Sequence, residues 1–294
     1  MECYFAWEKR DPLTTLLRIE TPPAGFGSMV FNLGDGYRVR TAKTTQLVPT
    51  AFLTGQATAH YELELAGRIG MVGVVFRPAG IHSLFGLTMY EFTDERVALS
   101  DALGTRLGQL PDQLADAQTD AGRVALLERF LSRQLLRRGH CADRTDYGAN
   151  LIADQRGLLS INTLMNDLYV CRRQFLLKVG ISPKYYARIR LVGTLCAQMA
   201  SQRWQVTDWH GLIHQYGYYD QSHFIREFTH DPVSKLNGTF RQTKNKHGAM
   251  TEWKSRYSVT VMKVFRDGYW LGAFYDNKRR VAYDEKTAGV RPFN

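Results

Sequence analysis

Cysteine is scarce in this chain, and its spacing forms no motif. The 294 residues include four cysteines, and no two of them are near enough to form a C-x-x-C pair. Such spacing fits neither a zinc knuckle nor the disulfide framework of a small secreted domain. We therefore expect free thiols in a reducing compartment, at Cys3, Cys141, Cys171 and Cys196.

Long apolar runs are also missing. No uninterrupted apolar stretch approaches the roughly 18 residues that a helix needs to cross a bilayer. The chain does not open with a charged segment followed by an apolar one, as a secretory signal would. These absences predict a cytoplasmic protein with no membrane partner.

The sequence motifs of common enzymes are absent as well. There is no P-loop, no G-x-S-x-G elbow and no G-x-G-x-x-G, because Gly25-Phe-Gly27 and Gly34-Asp-Gly36 lack the third glycine. His210 and His214 have the i, i+4 spacing of paired metal ligands, but no Glu lies between them to serve as the base of a zinc protease. We favour a pair on a helix surface. The sequence predicts no enzyme activity, no cofactor and no metal site.

Acidic residues are outnumbered by basic ones. The chain has 38 Lys and Arg against 28 Asp and Glu, a formal net charge of +10 and a pI near 9.5. A basic surface attracts polyanions such as nucleic acid, because binding releases their counterions. Solvated side chains without any such partner are the plainer explanation, and charge alone leaves both open.

Short apolar segments separated by turn residues dominate residues 29–76. Tyr61, Leu63 and Leu65 alternate with two glutamates, as expected for a strand with one solvated face. Residues 70–76 lack such alternation, which predicts a strand buried on both faces. This spacing predicts a β-rich domain, with a trailing helix, over residues 1–140.

The bend after these strands is the candidate site for a small-molecule ligand. Arg77 and His82 flank a glycine, and Pro78 between them favours the start of a helix. These two side chains are the candidate ligand-binding residues, in a pocket expected among residues 29–85. A polar pair satisfied at the helix start is the structural alternative.

Helical spacing begins after residue 94. An amphipathic helix is predicted from an apolar stripe at Val124, Leu127, Leu131 and Leu135. The opposite face carries arginines, at Arg123, Arg129, Arg133 and Arg137. Packing of the stripe against its own domain is favoured, and a helix that forms a homodimer is the alternative. A polar linker is predicted over residues 141–156.

Residues 157–235 contain two patterns of the helix-turn-helix type. In the first, Ser160 caps a helix, and a second helix opens with Arg172, Arg173 and Gln174. The break at Gly180-Ile-Ser-Pro183 ends that helix, because Gly frees the backbone and Pro is tolerated only in a first helical turn. A long helix follows, which spans roughly 28 Å at about 1.5 Å per residue.

The second pattern is the more complete. Leu212 and Tyr216 share a helical face, Gly217 ends that helix, and Asp220 can cap the next one. Phe224 and Phe228 give the next helix an inward face. The outward face carries side chains able to contact base edges or phosphates, namely Gln221, Ser222, His223 and Arg226.

Together these motifs resemble the AraC-type transcription regulators. The resemblance covers about residues 156–232 and rests on Gly180-Ile-Ser-Pro-Lys184, Arg188-Ile-Arg190 and Gly217-Tyr-Tyr-Asp-Gln-Ser-His-Phe224. The N-terminal part is similar, more loosely, to a sensor domain found in one branch of that family. The resemblance implies binding to double-stranded DNA, control by an effector and contact with RNA polymerase. An AraC-like scaffold with impaired DNA binding, acting through protein partners, is the alternative, because the first recognition helix is about a turn short.

The tail lies outside that resemblance. Asp267-Gly268 separates two apolar-aromatic runs and predicts a hairpin within a small β-meander over residues 236–294. The expected fold class is therefore α+β, with a β-rich N-terminal regulatory domain, an all-α double helix-turn-helix domain and this meander. The expected function is sequence-specific regulation of transcription.

Overall fold

The computed structural model describes residues 2–21, 23, 25–139, 141–159, 169–201 and 208–220, together with six short strands after residue 237. The N-terminal part holds seven of the described strands: β1 (Cys3–Thr21), β2 (Gly27–Asn32), β3 (Arg38–Arg40), β4 (Thr45–Leu47), β5 (Ala51–Thr54), β6 (Tyr61–Phe76) and β7 (Arg96–Ala98). The tail strands are β8 (Gly238–Arg241), β9 (Glu252–Ser255), β10 (Met262–Arg266), β11 (Tyr269–Ala273), β12 (Val281–Asp284) and β13 (Gly289–Pro292).

Eight α-helices are described. Four lie against the β-rich part: α1 (Gly80–Phe85), α2 (Leu99–Leu103), α3 (Leu110–Asp116) and α4 (Asp120–Arg138). Four follow it: α5 (Arg144–Asp154), α6 (Arg172–Val179), α7 (Pro183–Ser201) and α8 (Trp209–Gln215). Two single turns of 3₁₀-helix lie at Met89–Phe92 and Gly104–Leu107. The coarse expectation of a β-rich N-terminal part with helices after it is thus confirmed.

The main sheet is antiparallel and is built around two long strands, β1 and β6. Its order is β13-β12-β11-β10-β1-β6-β2-β5-β7, and β3 pairs with the first half of β6 and with β4. Successive side chains of a strand point to opposite faces, so each strand feeds two cores. Val30 and Met71 belong to one cluster, whereas Met29 and Val72 belong to the other, which the helices cover. Residues 71–76 are buried, as their unbroken apolar sequence predicts.

Helix α4 packs on its own domain along most of the predicted stripe. Val124, Leu127 and Leu131 are buried, and Phe130 beside them stacks on Phe85 with ring centroids 6.2 Å apart. Leu135 departs from the prediction, because 52% of it is exposed. The buried stripe therefore stops about two turns before the helix does. No helix among the described residues is long and apolar enough to cross a bilayer.

Residues 141–156, predicted as a polar linker, instead contain helix α5. Asp143 caps this helix by accepting from the backbone N–H groups of Thr145 and Asp146, and the Asp146 carboxylate accepts from the Asp143 N–H. Ala149 and Ile152 are fully buried in the core that α6, α7 and α8 share. Helix α5 is difficult to recognise in the sequence, because the segment is polar and few of its buried residues are apolar.

Four of the tail strands, β10 to β13, join the main sheet where the meander is predicted, whereas β8 and β9 pair with each other in a separate sheet. β10 pairs with β11 in the register Arg266↔Tyr269, on either side of Asp267-Gly268. β10 also extends the edge of β1, with Tyr4 opposite Phe265. The four strands β10 to β13 form a meander with little core of its own, and pairing with β1 gives it a larger sheet.

Candidate nucleic-acid interface

Helix α6 separates its residues into a buried face and an exposed first turn. Phe175, Lys178 and Val179 are buried, at the i, i+3 and i+4 spacing of one helical face. The first turn lies off that face, and its three polar side chains, Arg172, Arg173 and Gln174, are exposed. Neither arginine makes an ion pair with a described residue.

The N-terminus of α6 is electrostatically suited to an anion. No acidic residue lies in its first turn. The backbone N–H groups of Gln174 and Arg173 lower the pKa of the exposed Cys171 thiol, which shows that these donors favour negative charge there. Unsatisfied N–H groups and the helix dipole make such an end a phosphate site. Two guanidinium groups beside it add to this potential.

Lys178 fixes the other end of α6, and sequence reasoning missed this residue. Its ammonium lies 2.8 Å from Asp143 Oδ2 and 2.7 Å from Asp146 Oδ2, and only 4% of the residue is exposed. Burial would lower the pKa of Lys178, but the two carboxylates outweigh it and raise the pKa. The ion pair therefore ties α6 to the capped start of α5. The lysine at i+3 from Phe175, on the buried face of a short helix, was the available signal.

Helix α7 and the helix after it are also placed as predicted. α7 is a rod of 19 residues, and α8 begins after Asp208, which accepts from the Gly211 N–H at 2.8 Å. Tyr216 closes α8 and donates from its hydroxyl to Gln198 Oε1 of α7 at 2.5 Å. Gly217 takes the left-handed conformation that ends the helix, with φ of 74°.

His210 and His214 form a surface pair on α8, with their Nε2 atoms 3.2 Å apart. Both side chains are exposed. Within the part of the chain that the structure describes, no group of three or more His, Cys, Asp and Glu could hold a metal ion.

The remaining predicted contact residues lie outside the described residues. These are Gln221, Ser222, His223 and Arg226 of the second unit, and the first helix of the first unit, which Ser160 is predicted to cap. Their roles stay predictions.

The β-rich part contacts the helical part of the chain directly after α6 and in the first turn of α7. The Thr93 hydroxyl donates to the Gly180 carbonyl oxygen at 2.9 Å, and the Tyr185 hydroxyl donates to the Thr58 carbonyl oxygen at 3.0 Å. A Cβ atom on Gly180 would lie 2.7 Å from the Met89 carbonyl oxygen. The break between α6 and α7 therefore rests on the loops of the β-rich part.

Arg77 and His82, the predicted effector residues, are held by protein partners. Arg77 Nη2 lies 2.5 Å from Asp154 Oδ1 of α5, and Arg77 Nε lies 3.5 Å from Glu2 Oε2. His82 Nδ1 lies 2.8 Å from the Leu87 carbonyl oxygen, and burial lowers the pKa of this imidazole. Arg77 is thus a further link between the β-rich part and the helices. Effector binding by these two residues stays a prediction.

A cleft of about 300 Å³ lies elsewhere, between α4 and residues 104–113. It lies outside residues 29–85, where the effector pocket is predicted. Three of the residues that line it are Arg129, Arg133 and Arg137 of α4. From the sequence, these arginines are expected only to form the solvated face of that helix. Spacing within one helix does not show that a second segment closes over that face.

Comparisons with known proteins give partial similarity. A family model described as a domain of unknown function (DUF6597) matches residues 1–98. No curated protein matches the chain. Among solved structures, ToxT from Vibrio cholerae is similar with 10% sequence identity and a TM-score of 0.40, over 81% of this chain and 96% of that one.

Two more ToxT structures from Vibrio cholerae are similar at the same level. One has 9% identity and a TM-score of 0.38, over 79% of this chain and 93% of that one. The other, bound to an unsaturated fatty acid, has 11% identity and a TM-score of 0.38, over 78% of this chain and 93% of that one. Similarity this low assigns neither a family nor a function.

Proposed function

We propose that this chain is a sequence-specific DNA-binding transcription regulator of the AraC type, controlled by a small-molecule effector. The observation that carries the proposal is the first turn of α6. Arg172, Arg173 and Gln174 are exposed there at a helix N-terminus free of acidic residues, while the other face of the helix is fixed in a core. A recognition helix needs this combination of a rigid seat and a polar, cationic leading edge.

Each of the three side chains has a defined contact in a major groove. An arginine guanidinium donates two hydrogen bonds to guanine O6 and N7 or pairs with a phosphate, and a glutamine amide suits adenine N6 and N7. The backbone N–H groups of Arg173 and Gln174 are positioned to donate hydrogen bonds to a phosphate at the helix end. Arg172 and Arg173 make no ion pair with a described residue. Neither arginine therefore has to break such an ion pair when it binds DNA.

Helix α7 supports a second contact on the same side of the duplex. Its 19 residues span roughly 28 Å, and successive major-groove sites on one face of DNA are about 34 Å apart. The resemblance to AraC-type regulators places the second set of contacts at Gln221, Ser222, His223 and Arg226. The same resemblance motivates contact with RNA polymerase and leaves a homodimer open.

Control by an effector is supported by the contacts that follow α6. Thr93 of the β-rich part bonds Gly180 between α6 and α7, and Tyr185 of α7 bonds Thr58 of the β-rich part. A ligand that changes this arrangement shifts the population of DNA-competent chains by its differential affinity for the two states.

The test is salt-dependent binding of the full chain to a mixed pool of labelled duplexes, followed by fluorescence anisotropy. We expect Arg173→Ala to weaken binding and to reduce the slope of log affinity against log salt by about 1, because one phosphate contact is lost. Lys43→Ala is the matched control, since Lys43 is an exposed cation in the β3–β4 turn. Lys43→Ala removes one positive charge, as Arg173→Ala does, but should leave the slope of log affinity against log salt unchanged.

Absence of binding by the intact chain even at low salt would contradict this function. That result would favour the alternative of an AraC-like scaffold that acts through protein partners. The observation that favours this alternative is the length of α6. The helix has only eight residues, and so short a helix buries little surface to hold it in place.

A further inference from the structure

The cleft beside α4 is lined by four arginines. Arg129, Arg133 and Arg137 recur every four residues along α4, and Arg106 lies across from them on the segment that closes the cleft. No acidic side chain is among the described residues that line it. Its volume of about 300 Å³ is at the lower end of the range for small-molecule sites.

These arginines are not neutralised within the described part of the chain. Arg129, Arg133 and Arg137 make no ion pair with a described residue. Arg106 is held in place by two carbonyl groups, because its Nε donates to Leu103 O at 3.4 Å and its Nη1 donates to Phe85 O at 3.2 Å. Four like charges around so small a volume repel one another, and an anion between them removes that repulsion.

Apolar side chains and one buried amide lie beside the arginines. Leu110 and Phe130 are buried beneath the cleft, and Leu107 and Leu126 extend its apolar wall. Gln134 also lines it and is only 4% exposed, and its carboxamide makes no hydrogen bond with a described residue. Its amide can donate hydrogen bonds to a ligand in the cleft.

We propose that this cleft binds a small organic anion, a carboxylate or phosphate monoester with an aromatic or short aliphatic body. The guanidinium groups bind the anionic group with charge-assisted hydrogen bonds. The Gln134 amide donates to the same group or to a neighbouring polar atom. The apolar body covers Leu110 and Phe130.

The cleft is connected to α6 by packed side chains. Phe130 of the cleft stacks on Phe85 of α1, and Arg106 bonds the Phe85 carbonyl. Helix α1 in turn contacts both α4 and α6. An anion that reorients Arg106 or Phe130 therefore acts on the helix that supports α6. This regulatory consequence rests on the function proposed above, whereas binding in the cleft does not.

The binding test uses calorimetry on the full chain with phenyl phosphate, benzoate, inorganic phosphate and the neutral benzyl alcohol. We expect the two aromatic anions to bind, inorganic phosphate to bind more weakly, and benzyl alcohol to show no binding. Arg133→Ala should weaken phenyl phosphate binding about tenfold, and Arg133→Lys should recover part of that loss. Arg138→Ala is the matched control, because Arg138 is on the same helix but does not line the cleft.

Three results would overturn the assignment. Benzyl alcohol binding as well as phenyl phosphate would make the cleft a plain apolar pocket. Equal effects of Arg133→Ala and Arg138→Ala on phenyl phosphate binding would show that the binding depends on overall positive charge and not on this cleft. Displacement of phenyl phosphate by a short duplex, together with weaker DNA binding by Arg133→Ala, would make the cleft part of a DNA surface.

DNA affinity measured with and without phenyl phosphate then separates the two proposals. We expect a change in affinity that Arg133→Ala removes and Arg138→Ala keeps. A chain that binds phenyl phosphate but no duplex contradicts the transcription role alone. A chain that binds a duplex but no aromatic anion contradicts the cleft assignment alone.

Discussion

At the scale of single residues, Lys178 has a defined energetic role in seating α6. Its two partners differ, because the Asp146 side chain is 7% exposed whereas that of Asp143 is 52% exposed. Removing the lysine leaves the Asp146 carboxylate buried without a cation, and an uncompensated buried charge is strongly destabilising. The same change removes the link between α6 and the start of α5.

We expect Lys178→Met to lower the free energy of unfolding by roughly 3 kcal/mol, the lower end of the range for breaking a buried ion pair, because Asp143 remains half solvated. Urea unfolding followed by circular dichroism measures this loss. Lys184→Met is the control, since Lys184 is exposed at the start of α7. It should change stability by about 0.5 kcal/mol or less. Equal losses in the two variants would show that the ion pair contributes little.

The ion pair of Lys178 and Asp143 also predicts that stability decreases as the pH falls on the acid side. Burial raises the pKa of Asp143, but hydrogen bonds from Lys178 and from the backbone lower this pKa by a larger amount. The net pKa of Asp143 is therefore below its ordinary value. A depressed carboxyl pKa contributes stability above the unfolded pKa, near 4, and this contribution is lost as the pH falls through the folded pKa. The acid side of the stability profile should therefore be shallower in Lys178→Met than in the unchanged chain, and identical slopes would contradict the pair.

At the scale of elements, the break after α6 is the point where the two parts of the chain meet. Gly180 has φ of 98°, a left-handed value that disfavours any residue with a Cβ. A Cβ atom there would also lie 2.7 Å from Met89 O and 2.9 Å from Thr93 Oγ1. Glycine is therefore required both by the backbone and by the β-rich part.

Gly180→Ala should consequently destabilise the chain more than Gly139→Ala does. Gly139 ends α4 with φ of 58°, and a Cβ atom added to it would have no described atom within 4 Å, so this position reports the backbone cost alone, about 1 kcal/mol. We expect an excess of about 1 kcal/mol or more for Gly180→Ala, from overpacking against Met89 and Thr93. Thermal unfolding of both variants measures the difference. Equal losses would mean that the contact with the β-rich part is absent in solution.

Helix ends are predictable from the sequence because breakers mark them. Gly180, Pro183 and Gly217 place the ends of α6 and α8 and the start of α7, and Arg172 to Gln174 are exposed as their position in the first turn predicts. Strand β1 was not predicted. Its pairing with β6 shifts register between Lys9 and Leu13 and again between Leu13 and Leu17, so no regular alternation marks it in the sequence.

Contacts between distant segments are beyond the reach of local patterns. The partner of Lys178 lies 32 residues away at Asp146, and the partner of Tyr185 lies 127 residues away at Thr58. Neither pairing leaves a periodic signal, because it depends on how two elements pack. The arginine cleft was missed for the same reason, since residues 104–113 have no pattern that places them against α4.

At the scale of the whole molecule, the chain joins a sheet with two cores to a helical unit through the packing of α6 against α1 and residues 89–92 and through a few polar contacts. The helical core of α5 to α8 is separate from the two sheet cores. Arg77, Thr93 and Tyr185 bridge them by hydrogen bonds or an ion pair. Interfaces within a chain that include polar contacts are suited to relative motion of the joined parts, as the proposed control by an effector requires.

The most direct measurement of sequence-specific DNA recognition is selection from a random duplex library by the full chain at low salt, with bound sequences determined by sequencing. We predict that the unchanged chain enriches one motif, and that Arg173→Ala retains the motif with lower affinity for all sequences, because its contact is to phosphate. Enrichment of the same motif with unaltered affinity after the combined change of Arg172, Arg173 and Gln174 to Ala would contradict the role given to α6. A library from which the unchanged chain recovers no preferred sequence would contradict the claim that this protein recognises specific DNA.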